Sequence, residues 1–223
     1  MSYTRFAVYY VPPDGPLADF GATWLGWDIR RGAPEDQPDV TGIAAATEAP
    51  RKYGFHATLK PPFRLADGAT PDTLDAAVGQ MAARCAPGQT EGLAVTPLGR
   101  FLALTLRGDA APVSRIAATC VEALDRFRAP ASAAELARRR KARLTERQEM
   151  LLARWGYPYV FEEFRFHLTL TGRLPRPELP AWAEAVEGHL PRLPDPFVID
   201  SVALVGERAD GHFELVQRYA LTG

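Results

Sequence analysis

Two periodicities divide this chain. Residues 5–11, 55–60, 93–97, 100–106, 164–171, 197–205 and 213–221 are rich in aromatic, β-branched and leucine side chains, and several of these runs alternate apolar with polar, as strands do. Over 70–86, 112–127 and 180–190 the apolar residues recur instead at helical spacing. Leu74, Ala77, Val78, Met81 and Ala82 make one stripe; Ile116, Ala117, Cys120, Val121, Leu124 and Phe127 make another. A short helix is predicted over 17–27, and most of 31–50 reads as surface loop. Turn residues punctuate the pattern. Pro12-Pro13-Asp14-Gly15 follows the first strand, Pro61-Pro62 ends the second, Leu98-Gly99 joins the next two, and Asp210-Gly211 predicts a hairpin near the end.

The stretch 130–159 stands apart. Ser132 followed by Glu135, and Thr145 followed by Gln148, are capping-box signals, so two short helices fit better than one long one. Gly156 and Pro158 supply the stop. Leaving that insert aside, each half of the chain reads as a histidine-bearing strand, a helix and a strand hairpin. The expected fold is therefore α+β, a single bilobal unit over 1–223 with antiparallel sheets and a helical insert at about 130–159.

Composition narrows the partners. Of 223 residues, 26 are basic and 27 acidic, a net charge of −1, so the chain lacks the global field of a protein that coats nucleic acid or anionic membrane. Any anion it handles must be gripped locally. Hydrophobic residues make up 47% and charged residues 24%, ordinary values for a globular chain. Cys85 and Cys120 form no CxxC pair and have no metal-ligand spacing, which predicts a reduced, cytoplasmic protein. No apolar run approaches the roughly 20 residues of a membrane span, and no signal peptide opens the chain.

The resemblance between the halves becomes specific at Tyr53-Gly54-Phe55-His56-Ala57-Thr58-Leu59-Lys60 and Phe164-Arg165-Phe166-His167-Leu168-Thr169-Leu170-Thr171. Both contain aromatic-His-apolar-Thr-Leu. Residues two apart on a strand share a face. Phe55, Ala57 and Leu59 then point one way, and His56, Thr58 and Lys60 the other. In the second run Phe164, Phe166, Leu168 and Leu170 form the apolar face, opposite Arg165, His167, Thr169 and Thr171. A single HxT in a strand is more often a half-exposed structural histidine; two copies in matched context are harder to explain that way. With an ordinary pKa of about 6.5, one imidazole can be neutral while the other is charged near pH 7. That pair suits general base and general acid work, and the threonine hydroxyls can hold anionic oxygens. His189 and His212 lack the surrounding pattern and read as structural or surface residues.

The paired His-x-Thr motifs resemble those of the two-histidine (2H) phosphoesterase superfamily, which includes RNA 2′,3′-cyclic phosphodiesterases and 2′-5′ RNA ligase-like proteins. The longer strings, Tyr-Gly-Phe-His-Ala-Thr-Leu-Lys-Pro-Pro-Phe and Phe-Arg-Phe-His-Leu-Thr-Leu-Thr-Gly, look like its phosphonate metabolism protein branch, associated with carbon–phosphorus lyase gene clusters. The resemblance implies a bilobal pseudo-two-fold fold, with two sheets facing a central cleft and helices outside. It implies a metal-independent cyclic phosphodiesterase without cofactor, in which His56 and His167 divide the base and acid roles. Thr58 and Thr169 would hold nonbridging oxygens. The expected substrate is a small sugar or nucleotide cyclic phosphate, with a phosphoribosyl cyclic phosphate suggested by the phosphonate setting. The alternatives are an RNA 2′,3′-cyclic phosphodiesterase or 2′-5′ ligase-like enzyme, and a non-catalytic binding protein for a phosphorylated metabolite.

Further candidates for the phosphate are Lys60 and Arg165, on the faces of the two histidines, Arg218 on the last strand, and Tyr9 on the first, with Tyr10 packing inward. Each also has a reading as an ordinary surface or structural side chain. The dense run Arg138-Arg139-Arg140-Lys141 with Arg143 and Arg147 either binds a phosphorylated ligand or RNA, or is the solvated face of the insert, the commoner case. No metal-binding pattern and no glycine-rich nucleotide loop is present. The sequence leaves the oligomeric state open.

Overall fold

The alternating segments pair into two principal antiparallel sheets, each assembled from both halves of the chain. The computed structural model describes residues 3–223. Up to the insert the elements are β1 (Phe6–Tyr10), α1 (Pro16–Leu25), β2 (Trp27–Asp28), β3 (Ala33–Pro34), α2 (Ile43–Ala46), α3 (Glu48–Arg51), β4 (Ala57–Phe63), α4 (Pro71–Ala82), β5 (Gly88–Thr90), β6 (Gly92–Leu98), β7 (Phe101–Arg107) and α5 (Ala111–Ala123). The insert supplies α6 (Ala133–Arg140) and α7 (Glu146–Trp155). After it come β8 (His167–Thr169), α8 (Leu179–His189), β9 (Phe197–Ile199), β10 (Ser201–Glu207) and β11 (Phe213–Ala220). No described helix is long and apolar enough to cross a membrane.

The larger sheet has strand order β11-β10-β1-β4 and the smaller β6-β7-β8. The hairpin of the first half, β6-β7, thus pairs with the second histidine strand. The hairpin of the second half, β10-β11, pairs with β1 beside the first. Both histidine strands lie on sheet edges. One apolar core runs beneath both sheets, taking Val8, Ala57 and Leu59 from the larger, Leu104 and Leu168 from the smaller, and Leu74, Val78, Ile116 and Val186 from α4, α5 and α8. Burying each such side chain contributes roughly 1.5–3 kcal/mol. The opposite face of the larger sheet carries a second cluster, Ala7, Tyr9, Trp27, Ile29, Ala203, Val205 and Phe213. That face is therefore mostly apolar around the first histidine, where alternation predicted a polar one.

Most predicted elements are found. Capping boxes at Thr70/Thr73, Ser132/Glu135 and Thr145/Gln148 start α4, α6 and α7, and Gly156 ends α7 in the left-handed region at φ 73°. Four segments differ from expectation. β4 runs through Pro61 and Pro62, which an edge strand tolerates because its outer N–H positions have no partner to lose. The strand predicted over 164–171 is paired only at His167–Thr169, because the Thr171 hydroxyl takes the Leu102 N–H that a ladder partner would hold. The run 197–205 splits at Asp200, β9 pairing with β5 and β10 with β1. Within the predicted loop, Ile43, Ala46 and Pro50 are buried on two single-turn helices.

Candidate active site

β4 and β8 bring Thr58 of the first motif and His167 of the second to one cleft of about 380 Å³, in the range of small-molecule sites, while His56 and Thr169 are not among the residues that line it. Thr58 lines it from β4, and His167 and Arg165 line it from β8 and its approach. Leu98 and Gly99 close it from the β6–β7 turn.

The two imidazoles are held the same way. His56 Nδ1 lies 2.9 Å from the Gly54 carbonyl oxygen, and His167 Nδ1 lies 2.7 Å from that of Arg165. A carbonyl only accepts, so each Nδ1 carries the proton and donates it two residues back. Each Nε2 is left untethered by the backbone. His56 Nε2 accepts from the Thr58 hydroxyl at 3.1 Å. Gly54 makes the first tether possible: it has φ 70°, and a Cβ there would lie 2.5 Å from the Ile29 Cβ.

The surroundings of the two rings differ. His56 stacks on Tyr9, ring centroids 3.7 Å apart, with Tyr53 at 6.3 Å. Burial, reinforced by the neighbouring His167, pushes the His56 imidazole down to about 4 against the opposing hydrogen bond to Gly54. His56 is thus neutral at pH 7, with its Nε2 lone pair unprotonated and engaged only by the Thr58 hydroxyl. His167 has the Phe101 ring at 5.9 Å and no tyrosine beneath it. Thr169 is half-buried and pairs with Ala103, on the same face as His167.

The remaining candidates fare unequally. Arg165 is exposed, lines the cleft, and makes no ion pair among the described residues. Lys60 does not reach the cleft. The register between β1 and β4 shifts between Val8 and Tyr9, and this irregularity resets the alternation after Thr58. Lys60 is 1% exposed, donates to the Val121 carbonyl at 3.2 Å, and lies 3.9 Å from Asp125. Burial lowers its ammonium to about 8.

Arg218 shares a row with Thr58 through Tyr9 and Ala203, but sits three strand spacings away, about 14 Å. Its guanidinium donates to the Val11 and Pro12 carbonyls at 2.6 and 3.2 Å. Tyr9 is 1% exposed and serves as the floor beneath His56, not as an open phosphate ligand; burial keeps its phenol well above the usual range and so protonated. Tyr10 packs inward against Phe166 and Phe197, as its place on the other face requires.

The far wall was not foreseen from the residue pattern. It comes from the insert and its exit: Gln148, Tyr157, Tyr159, Val160 and Glu163. Gln148 Nε2 donates to Glu163 at 2.9 Å. The aromatic run after the α7 cap, Trp155-Gly156-Tyr157-Pro158-Tyr159, was the available signal, but only tertiary packing aims it at the histidines.

Comparison with known proteins adds a family. The model for a family described as "Protein of unknown function (DUF1045)" matches residues 58–214, well over half of the chain. A protein of Janthinobacterium sp. (strain Marseille), named ribose 1,5-bisphosphate phosphokinase PhnN, is 43% identical over 183 residues, covering 78% of this chain and 40% of that protein. A protein of the same name from Laribacter hongkongensis (strain HLHK9) is 37% identical over 192 residues, covering 83% and 44%. The chain spans about two fifths of the length of the curated relatives it matches. Similar solved structures include E. coli LigT complexed with NADP+, at TM-score 0.47 and 14% identity, and one described as a phosphoesterase, at 0.45 and 14%; both chains are fully covered in each case.

Proposed function

The chain belongs to the DUF1045 family, and from that premise we propose that it hydrolyses a small cyclic phosphodiester by histidine acid–base catalysis. The observation that carries this reading is the matched pair of imidazoles, each with Nδ1 tethered to a carbonyl two residues upstream and Nε2 left to act. The neutral His56 takes a proton from a water that attacks phosphorus in line. The new P–O bond forms as the opposite P–O ester bond breaks, and His167, in its protonated form, gives its Nε2 proton to the departing alkoxide. The Thr58 hydroxyl turns from His56 Nε2 to a nonbridging oxygen, with Thr169 opposite and Arg165 balancing the charge. The product is a phosphomonoester, and the two imidazoles have exchanged protonation states. No step calls on a metal or cofactor.

The relatives' name supports a specific substrate. This chain contains no GxxxxGK[ST] loop, and all three lysines follow residues other than glycine. Kinase activity is therefore not carried over to this portion. Portions joined on one polypeptide commonly act on consecutive intermediates. Opening the 1,2-cyclic phosphate of a ribose 5-phosphate gives ribose 1,5-bisphosphate, the compound in the relatives' name. A phosphoribosyl cyclic phosphate is accordingly the proposed substrate, and phosphonate breakdown the proposed setting.

The test is phosphorus NMR of that ester incubated with the purified chain and a chelator. The expected result is replacement of the cyclic diester signal by a second phosphomonoester. No turnover, or turnover undiminished in His56→Ala, overturns the reading. The exposed Tyr159 ring at the cleft wall favours one second reading, a nucleoside 2′,3′-cyclic phosphate stacked on it, tested by adding that ester to the same panel.

A further inference from the structure

Four arginines of the basic run in the insert divide into two sets, Lys141 and Arg143 belonging to neither. Arg140 pairs with Glu149 and Arg147 with Glu162, both on the solvated side. Arg138 and Arg139 make no ion pair among the described residues. They face a separate small pocket, of about 40 Å³, between the exit of β4 and the insert. Its other charged groups are Arg5, Arg64, Arg128 and Glu135. Arg5 is committed to Glu207 at 2.5 Å, Arg64 to Glu135 at 3.1 Å and Arg128 to Asp125 at 2.8 Å. Five arginines and one glutamate therefore line the pocket, and two of the arginines have no counter-ion among the described residues. The volume holds roughly three waters, about the size of one phosphate group.

This pocket adjoins the catalytic cleft. Pro61 lines the cleft and Pro62 the pocket; Tyr157 lines the cleft and Gly156 the pocket. Arg139 crosses the join, its guanidinium carbon 4.6 Å from the centroid of the Tyr157 ring. One aromatic side chain and one proline pair separate the unpaired arginines from the space beside His167.

We propose that this arginine pocket binds a terminal phosphomonoester of the substrate whose cyclic diester is opened between His56 and His167. The proposal rests on the reading of the cleft as a phosphodiesterase site. It assigns the substrate class as a doubly phosphorylated small molecule, with one phosphate reacting and one held. Guanidinium groups suit this task because they grip a phosphate dianion through paired N–H donors.

The experiment compares ribose 5-phosphate 1,2-cyclic phosphate with its counterpart bearing a free 5-hydroxyl, on wild type, Arg138→Gln/Arg139→Gln and Arg140→Gln. Loss of two charge-assisted contacts is expected to lower kcat/KM for the phosphorylated ester about 10- to 100-fold, chiefly through KM. The 5-hydroxyl ester is expected to change less than about twofold, and Arg140→Gln to leave both near wild type. Equal losses on both esters, or none on either, overturn the proposal. Equilibrium binding of ribose 5-phosphate separates this proposal from the function on which it rests. If wild type turns over neither ester, the phosphodiesterase reading fails; ribose 5-phosphate binding that the double variant abolishes still supports the pocket, and absence of binding removes it. Matching thermal unfolding of the variants confirms that the folds are compared like for like.

Discussion

The same aromatic-His-apolar-Thr-Leu string occurs on two strands, and the structure gives the two copies different surroundings. The shared part is local. Each ring is fixed by its own backbone, through a hydrogen bond two residues back. The difference is tertiary. His56 lies on a tyrosine floor beside a second apolar cluster and loses its affinity for a proton, whereas His167 stands at the cleft wall next to an exposed arginine. A repeated motif thus supplies two similarly tethered imidazoles, and in the proposed mechanism the packing around His56 suits it to the base role.

The comparison is broken most severely by removing a ring. His56→Ala and His167→Ala are each expected to lower kcat by about 10²–10⁴-fold, measured on the cyclic ester. The two losses should not multiply in the double variant, because each ring needs the other. A residual rate equal to wild type in either single variant would end the acid–base assignment.

Next in size is Gly54→Ala. It strains a left-handed residue and presses on Ile29, costing about 2 kcal/mol or more in denaturant unfolding and releasing the His56 tether. Arg165→Ala, at the equivalent place in the second motif, should leave stability within about 0.5 kcal/mol, since its carbonyl remains. Equal destabilisation by both would show that the tethers do not differ in the way described.

The pH dependence sharpens the contrast. With His56 lowered to about 4, kcat/KM should hold as the pH falls from 7 to 5 and drop only near 4. A fall centred near 6.5 would contradict this. Stability follows the same sign. The unfolded imidazole binds its proton near 6.5, so between that value and about 4 the unfolded chain holds more protons, and stability declines as pH falls through the window. His56→Gln should flatten that part of the unfolding profile.

The smallest expected effect is that of Lys60→Met. Replacing a buried ammonium by an apolar chain of similar length should change stability by about 1 kcal/mol or less and leave kcat untouched. A large loss of kcat would return Lys60 to the site.

The local half of this picture was legible in the sequence. Alternation placed Phe55, Ala57, Leu59, Phe166, Leu168 and Leu170 in the core and the histidines opposite, because a strand's period depends only on its own backbone. The two capping-box signals marked the starts of α6 and α7 closely enough for the insert to be read as two helices. Other features depended on partners far away in sequence. Lys60 was misplaced because the irregularity opposite β1 is a property of the pairing, not of the β4 string. Arg218 has the right face but lies at the far edge of a four-stranded sheet, a distance set by strand order alone. The insert wall, with Gln148 and Tyr157, needed the docking of α7 beside the two histidine strands before it could be recognised.

The exchange of hairpins between the sheets makes completion of each sheet wait for the second half of the chain to be synthesised. β1 ends at Tyr10, but β10, its neighbour on one side, begins only at Ser201. β7 likewise waits from Arg107 until His167 for the strand that completes its sheet. At ribosomal rates of roughly 5–20 residues per second, β1 spends about 10 to 40 seconds with an open apolar edge before its partner emerges. Truncation after the first histidine strand and its helix would therefore leave β1 with an unpaired apolar edge, not a self-sufficient half of the fold.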